Sequence, residues 1–217
     1  MRDLVVSALV SLDGVMQAPA GPAEDQSGGF AYGGWSVPAW DEVMAEATAD
    51  AMEAPFELLL GRRTYEILAA RSRLADDPLA AGLREAKKYV VSNRLRSADW
   101  QNSVLVGGDA VTKVRELKAK DGPELQVHGS GMLVRALAAH GLVDEYRLWI
   151  YPLVLGKGKR LFGDAVAASA LRLVDARISS TGVMLNVYRM SGPVEPGALA
   201  VEAPVEDAER REVVMSP

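Results

Sequence analysis

Three short polar segments follow apolar runs, and each has the residue types that bind phosphate. They are Gly61-Arg62-Arg63-Thr64, Ser92-Asn93-Arg94 and Gly129-Ser130-Gly131-Met132. Guanidinium groups offer forked donors to phosphate oxygens, and hydroxyls offer further ones. The glycines let backbone approach a pyrophosphate, with the first N–H groups of a following helix pointing at it. Taken alone, each segment is equally consistent with an ordinary turn or a solvated basic helix start. Together and in this order, they predict a nucleotide site.

The third segment is an incomplete version of the dinucleotide-binding fingerprint Gly-x-Gly-x-x-Gly. Gly129 and Gly131 supply its first two glycines, but Val134 stands where the third would be. The segment therefore indicates a phosphate site only in combination with the other two.

The composition excludes several other chemistries. None of the 217 residues is a cysteine, which rules out disulfides, thiolate catalysis and cysteine-ligated zinc, including the zinc deaminase site. There are only two histidines, so no metal site is expected; we interpret His128 as a strand residue and His140 as a helix C-terminal residue, neither catalytic. A net charge of -5 argues against nucleic acid or an anionic membrane as the main partner.

The scaffold that positions the three segments is predicted by hydrophobic patterning over the first two-thirds of the chain. Apolar runs predict strands at 3–12, 56–60, 88–92, 103–106 and 124–128. Helical spacing predicts helices capped by Ser36 and by Asp109, and others beginning near Arg62, at Asp76-Asp77-Pro78 and at 131. Strand ends in such an alternation meet at one edge of an α/β sheet, where nucleotides bind.

The last third of the chain has a different pattern. Residues 144–155, 171–180 and 183–190 are strand-like, and Thr181-Gly182 predicts a tight turn between the last two. We therefore predict an α/β fold with a mixed, mostly parallel sheet flanked by helices and ending in a C-terminal antiparallel meander. One domain is expected over 1–190, and a flexible acidic tail over 191–217. We expect neither a signal peptide nor a membrane span, and a cytoplasmic location.

The chain resembles the dihydrofolate reductase-like superfamily, and within it stand-alone relatives of the riboflavin-biosynthesis reductase domain. The resemblance covers roughly residues 2–190. The matching segments are Ser11-Leu12-Asp13-Gly14, Leu60-Gly61-Arg62-Arg63-Thr64-Tyr65-Glu66, Val90-Val91-Ser92, Val127-His128-Gly129-Ser130-Gly131 and Pro152-Leu153-Val154-Leu155-Gly156, the last followed by Gly158 and Leu161-Phe162. The resemblance implies a dihydrofolate reductase-like fold and hydride transfer from NADPH to a C=N or C=O bond of a small heterocycle.

The resemblance also assigns cofactor roles to the three segments. The segment matching Gly61-Arg62-Arg63-Thr64 holds phosphates in the family, and the one matching Gly129-Ser130-Gly131-Met132 runs under the pyrophosphate. The segment matching Ser92-Asn93 holds the adenosine side, where Arg94 is suited to a 2'-phosphate. Gly14 would pass near the nicotinamide ring.

Two carboxylates are candidates for the catalytic role. Dihydrofolate reductases use a carboxylate just inside the helix that follows a Trp-x-Leu-Pro-x-Asp segment. In this chain Trp35 and Pro38 match that frame, but Trp40 takes the acidic position and Asp41 falls one residue late, which disfavours folate reduction. Asp13 lies where the family lines the substrate and nicotinamide pocket. The alternatives are a helix-start carboxylate for Asp41 and an Asp-Gly turn for Asp13.

Tyr32, Trp35 and Trp40 are candidates to stack on a planar substrate, with packing inside the 13–36 loop as the alternative. The nearest family assignment is 5-amino-6-(5-phosphoribosylamino)uracil reductase. The rival functions are a true dihydrofolate reductase and a nucleotide-binding protein without turnover. The apolar C-terminal strands are expected to be buried in a homodimer, as often in relatives.

Overall fold

A computed structural model describes residues 1–73, 78–163 and 166–198 of the chain. Its eight strands are β1 (Leu4–Ser11), β2 (Phe56–Gly61), β3 (Lys87–Val91), β4 (Ser103–Val106), β5 (Glu124–His128), β6 (Glu145–Tyr151), β7 (Ala170–Ile178) and β8 (Met184–Gly192). Its five α-helices are α1 (Glu42–Glu53), α2 (Arg62–Arg71), α3 (Pro78–Glu85), α4 (Ala110–Lys118) and α5 (Gly131–Ala139). All of these elements belong to one mixed sheet and its flanking helices.

The strand order in the sheet is β4-β3-β2-β5-β1-β6-β8-β7. The first six strands of this order are parallel, and β8 and β7 are antiparallel to their neighbours. This confirms the predicted mixed, mostly parallel sheet with an antiparallel end. Within that end β8, not β7, pairs with β6, so the chain first runs out to the edge strand and then returns.

Helices cover both faces of the sheet. Buried side chains of α4 and α5, such as Val114 and Leu137, pack on one face against β1, β5 and β6. On the other face Met44 of α1 packs against Tyr151, and Tyr65 of α2 packs against Leu58 and Leu60. Because the first six strands are parallel, their carboxyl ends lie at the same edge of the sheet, between the two layers of helices.

The start of α1 differs from the prediction. Ser36 does not cap it, because its hydroxyl donates to the Pro19 carbonyl at 2.8 Å and only a short 3-10 turn follows at Val37–Ala39. The helix begins at Glu42 instead, where the carboxylate of Asp41 accepts from the Met44 N–H at 3.1 Å. Asp109 caps α4 as predicted, through the Thr112 N–H.

Two expectations fall partly or wholly outside the described residues. Asp76 and Asp77, predicted to start α3, are not described, although α3 itself begins at Pro78. The proposed tail is described only as far as 198, and β8 continues to Gly192, two residues past the proposed domain end. In the part of the chain that is described, no helix has the length and apolar character to cross a membrane.

Candidate functional site

Two of the three predicted phosphate segments meet at the carboxyl edge of the sheet. The loops after β2 and β5 are neighbours because these strands pair. Ser130 joins them twice: its hydroxyl accepts from the Gly61 N–H at 3.0 Å, and its own N–H donates to the Thr64 hydroxyl at 3.1 Å. Thr64 thus links the two loops, and Gly61 occupies the N-cap of α2. The two loops therefore form one continuous rim.

The backbone of the β5–α5 loop is in an unusual conformation. Gly129 has φ 61, and Ser130 follows with φ 53 and ψ 45, both in the left-handed region. A residue with a Cβ rarely adopts this conformation, since it costs about 1–2 kcal/mol. The two hydrogen bonds made by Ser130 hold it there and aim the start of α5 along the rim.

The helices that start at this rim lack side-chain caps. Four α-helices have described N-caps: α1 and α4 are capped by aspartates, whereas Gly61 and Ser130 make no side-chain cap bond to α2 or α5. The first N–H groups of a helix have no partner within the helix and carry its positive dipole end. Two such ends lie side by side here, which is an arrangement that suits an anionic ligand.

The arginines at the rim pair with carboxylates of the same chain. Arg62 donates to both oxygens of Glu66 at 2.9 Å, one helical turn further along α2. Arg63 lies 2.8 Å from a carboxylate oxygen of Asp25, which belongs to the long loop after β1. The Arg62 side chain is 37% exposed and the Arg63 side chain is 52% exposed. Exposed ion pairs are weak, so a ligand phosphate could replace either carboxylate.

The second predicted segment follows β3, which pairs with β2, so it lies at the same edge. Its side chains mostly build the loop: Ser92 accepts from the N–H groups of Arg94 and Leu95 at 3.1 Å, and Asn93 exchanges two hydrogen bonds with Gly108. The guanidinium of Arg94 has no hydrogen-bonding or ionic partner within the described ranges. Arg94 is therefore the residue of this segment whose positive charge is free to contact a phosphate.

The 12–36 loop folds over the same edge and is fixed by partners that the sequence did not indicate. The buried Gln17 side chain donates to the carbonyls of Asp25 and Ser27 and accepts from the Lys159 N–H at 3.0 Å. Lys159 in turn binds Asp25 at 2.5 Å. Although burial raises the pKa of Asp25, hydrogen bonds from Lys159 and Ser27 lower it overall to about 2.

Asp13 is held by a set of donors at the turn after β1. The Ser11 hydroxyl donates to it at 2.6 Å, and the N–H groups of Leu155 and Gly156 donate at 3.1 and 3.0 Å. The Ser11 hydroxyl foremost, and then these backbone donors, hold the pKa of Asp13 well below its usual range. Its geometry therefore favours positioning the β1 turn over donating a proton. Gly14 lies in this turn with φ 80.

Asp41 is likewise occupied. Besides capping α1, it accepts from the N–H and hydroxyl of Ser180 at 2.7 and 2.8 Å, in the turn between β7 and β8. Desolvation raises the pKa of Asp41, but the bonds from Ser180 and Met44 outweigh it and lower the pKa overall. Asp41 thus ties α1 to the antiparallel end of the sheet.

The three candidate aromatic residues have different environments. Trp35 is buried, donates to the Gln17 carbonyl at 2.8 Å and packs edge-on against Tyr151. Tyr32 is 56% exposed and contacts Phe30. Trp40 is 47% exposed and lies against Trp149 of β6, with ring centroids 5.6 Å apart. Trp40 is therefore the one of the three best placed to contact a ligand above the sheet.

A partly exposed surface lies on the α1 face of the central strands, and we call it the cleft. Side chains on the opposite face of β1 and β5, such as Val6, Ala8 and Val127, are buried. On the α1 face, by contrast, four residues of the central strands are only partly buried, although Ser11 and Tyr151 at the ends of β1 and β6 are buried. The four are Ser7, Leu9, His128 and Trp149. We call these four residues the cleft residues. They lie next to Gly129 and the rim.

The comparisons with known proteins agree with this architecture. Residues 2–185 match the family model of the RibD C-terminal domain. The chain belongs to the RibD C-terminal domain family. It is 28% identical over 196 residues to the Bacillus subtilis protein YyaP, covering 88% of this chain and 96% of that protein.

Solved structures similar to this chain show that it has the dihydrofolate reductase-like fold. A Shewanella sp. PV-4 protein named after riboflavin biosynthesis aligns with TM-score 0.63 and 22% identity over 88% of this chain and 99% of that one. Dihydrofolate reductase from Enterococcus faecalis, complexed with NADP(H), aligns with TM-score 0.57 and 12% identity over 87% and 96%. The predicted fold and family resemblance are thereby confirmed. The family and fold support an oxidoreductase.

Proposed function

We propose that this protein is an NADPH-dependent reductase that transfers a hydride to a small heterocycle. The nearest assignment is reduction of 5-amino-6-(5-phosphoribosylamino)uracil, as the RibD C-terminal domain family implies. The observation that supports the proposal most directly is the pair of uncapped helix starts, α2 and α5, joined at the rim by Ser130.

The cofactor pyrophosphate is proposed to lie against these two helix starts. Backbone N–H groups there need acceptors, and a pyrophosphate supplies them with the sign of charge that the helix dipoles favour. Gly131 and Met132 begin α5, where the resemblance places the pyrophosphate, and Met132 is 82% exposed. We assign the 2'-phosphate to the arginines of this edge, Arg94 together with Arg62 and Arg63, which favours NADPH over NADH.

The substrate is proposed to bind in the cleft, between the nicotinamide and Trp40. Of the candidate substrate residues, Tyr32 and Trp40 are exposed enough for direct contact, whereas Trp35 supports the loop. Asp13 and Asp41 remain the proposed carboxylates of the site, and their hydrogen bonds favour positioning roles. Asp41 bonded to Ser180 is a poor equivalent of the folate-reductase carboxylate, which favours a substrate other than dihydrofolate.

Titration with NADPH and with NADH, followed by nicotinamide fluorescence, tests the cofactor assignment. Wild-type protein is expected to prefer NADPH, and Arg62→Ala to weaken NADPH binding about 10-fold, because a charge-assisted contact is lost. Arg115→Ala is the matched control, since Arg115 lies in the last turn of α4, which ends beside the amino end of β1 and away from the rim. If Arg62→Ala leaves both affinities unchanged, the placement of the phosphate is wrong.

Cofactor oxidation in a substrate screen separates the rival functions. Oxidation of NADPH with an aminopyrimidine is expected of the proposed reductase, while methotrexate-sensitive turnover of dihydrofolate would identify a true dihydrofolate reductase. Tight NADPH binding with no oxidation across the screen would favour a nucleotide-binding protein without turnover.

A homodimer in the cytoplasm is also proposed. The edge strand β7 exposes apolar side chains, among them Leu173 at 51% and Ile178 at 72%. Exposed apolar strands at a sheet edge are disfavoured in a monomer, and a second copy of the chain would cover them.

A further inference from the structure

His128 ends β5 directly before Gly129, at the meeting point of the rim and the cleft. It is paired in register with Ser7 of β1, on the face that α1 covers. Gln126, two residues earlier on the same face, donates to the Ala51 carbonyl of α1 at 3.2 Å. His128 therefore lies just beyond the point where α1 closes over the sheet, and it is only partly buried there.

The hydrogen bonds of Gln126 fix which nitrogen of His128 carries a proton. The Gln126 amide nitrogen donates to Glu124 at 2.6 Å and to the Ala51 carbonyl, and both of these oxygens are acceptors. The amide oxygen is consequently the atom that lies 2.8 Å from His128 Nε2. Since an amide oxygen only accepts, Nε2 must donate and carry the proton.

This arrangement is anchored by an arginine on β6. Arg147 donates to both oxygens of Glu124 at 3.0 Å, and its Nε donates to Glu145 at 2.8 Å. A bidentate arginine–carboxylate pair has a fixed geometry, so it holds Glu124 and through it Gln126. Four side chains, Arg147, Glu124, Gln126 and His128, thus form one chain of hydrogen bonds across β6 and β5.

The ring of His128 is neutral near pH 7. Burial, and then the positive charge of Arg147, lower the pKa of His128 to about 4. In a neutral ring with Nε2 protonated, Nδ1 carries a lone pair and can only accept. Across the described ranges, nothing donates to that nitrogen. His128 Nδ1 is therefore a hydrogen-bond acceptor beside the cleft that receives no hydrogen bond from the described residues.

We propose that His128 contacts the substrate, its Nδ1 accepting a hydrogen bond from an N–H group of a planar nitrogen heterocycle, and that Gln126 is the positioning residue. The inference rests on the proposed function, because it takes the heterocycle to be the reductase substrate. The inference also predicts which substrates bind: rings with an amino or lactam N–H facing His128 Nδ1 are accepted. Rings that present only acceptors there leave two lone pairs opposed and are rejected.

Nitrogen NMR of protein labelled with ¹⁵N-histidine tests the prepared acceptor directly, since the chain has two histidines only. His128 is expected in the Nε2–H form, without titration between pH 7 and 5. The Gln126→Leu variant is expected to lose this single form. A purely structural histidine would gain no new contact when 5,6-diaminouracil is added to the NADP⁺ complex, whereas we expect an upfield shift of the Nδ1 signal.

The same probe measures the contribution of the contact. His128→Leu is expected to weaken binding of 5,6-diaminouracil to the NADP⁺ complex about 10-fold, while NADPH affinity stays within about twofold. His140→Leu is the matched control, because His140 is exposed at the end of α5 and its ring bonds to the Ala136 carbonyl of its own helix.

Three results overturn the inference: an Nδ1–H form of His128, equal probe affinity in wild type and His128→Leu, or no probe binding to the wild-type complex. The NMR result on the wild type does not depend on whether His128→Leu folds. Failure of the proposed function is distinguishable, because it would appear as absent NADPH binding in wild type and both variants.

Discussion

Ser130 shows how much of the rim depends on one residue. Its hydroxyl and its N–H join the β2 and β5 loops, and its backbone stays left-handed while they do so. A serine at this position is a compromise, because glycine would relax the backbone and keep the N–H bond to Thr64 but would lose the hydroxyl bond to Gly61.

Two substitutions at this residue separate the bridge from the backbone strain. Ser130→Ala loses the bond to Gly61 and keeps the strain, so we expect a loss of roughly 1–2 kcal/mol in the free energy of unfolding. Ser130→Gly loses the same bond but relaxes the backbone, so it should be about 1 kcal/mol more stable than Ser130→Ala. Chemical denaturation of the two variants measures this, and equal stabilities would contradict the strain.

Acid sensitivity is expected to depend on Asp25. Its pKa of about 2 in the folded protein lies below the ordinary value of 3.8, so its contribution is present above about pH 4 and is lost as the pH falls toward 2. At about 1.4 kcal/mol per pKa unit, and reduced by solvent screening of this partly exposed group, that contribution is roughly 1–2 kcal/mol.

Stability curves of wild type and Asp25→Asn measured from pH 7 to pH 2.5 test this. The variant should be less stable at pH 7 and should lose less stability on acidification. A constant difference between the two curves would mean that Asp25 does not titrate in the folded state as stated.

Residue roles were only partly predictable from sequence. The position of the glycine and arginine segments at one edge of the sheet could be predicted, because each segment directly follows an apolar run. The partners of Asp13 and Asp41 could not, since Gly156 and Ser180 lie 143 and 139 residues away along the chain. The role now proposed for His128 could not be read from the sequence, because a single histidine in a strand carries no local sign of the Gln126 and Arg147 side chains that fix it.

Among the elements, β3 and α3 are joined by a buried lysine. Lys88 donates to the carbonyls of Arg84 and Ala86 at the end of α3, and to that of Gln101 before β4. Its side chain is fully buried, and burial lowers its pKa to about 8. The ammonium satisfies helix-end carbonyls that would otherwise have no donor.

Replacing this lysine tests the connection. Lys88→Met keeps most of the volume but leaves buried carbonyls without a donor, so we expect a loss of about 2–4 kcal/mol in the free energy of unfolding. Lys87→Met is the control, because Lys87 is the neighbouring lysine of the same strand and its side chain is exposed. Hydrogen exchange should show the loss concentrated in α3 and β3; an unchanged stability would contradict the capping role.

Elements were more predictable than their ends. Alternating apolar runs and helical spacing located the strands and helices, because burial on a sheet requires those periods. The start of α1 was misplaced, since Ser36 and Asp41 are both good cap residues and only the bond from Ser36 to Pro19 decides between them. The order β6-β8-β7 depends on pairing between distant strands, which the patterning does not encode.

At the level of the whole molecule, the sheet has two edges with different character. The β4 edge is short, whereas β7 is long and exposes apolar side chains along most of its length. Sedimentation analysis of the wild type is expected to give a dimer, and Leu173→Glu to give a monomer with unchanged secondary structure. Val104→Glu, on the exposed β4 edge, is the control and should remain dimeric; a monomeric wild type would contradict the proposal.

The account as a whole depends on the paired helix starts at the rim, and a crystal structure grown with saturating NADPH tests it most directly. It should show the pyrophosphate against the first turns of α2 and α5, and the nicotinamide beside the cleft residues and Gly14. An empty rim at saturating NADPH, or a cofactor bound elsewhere on the molecule, would contradict the account.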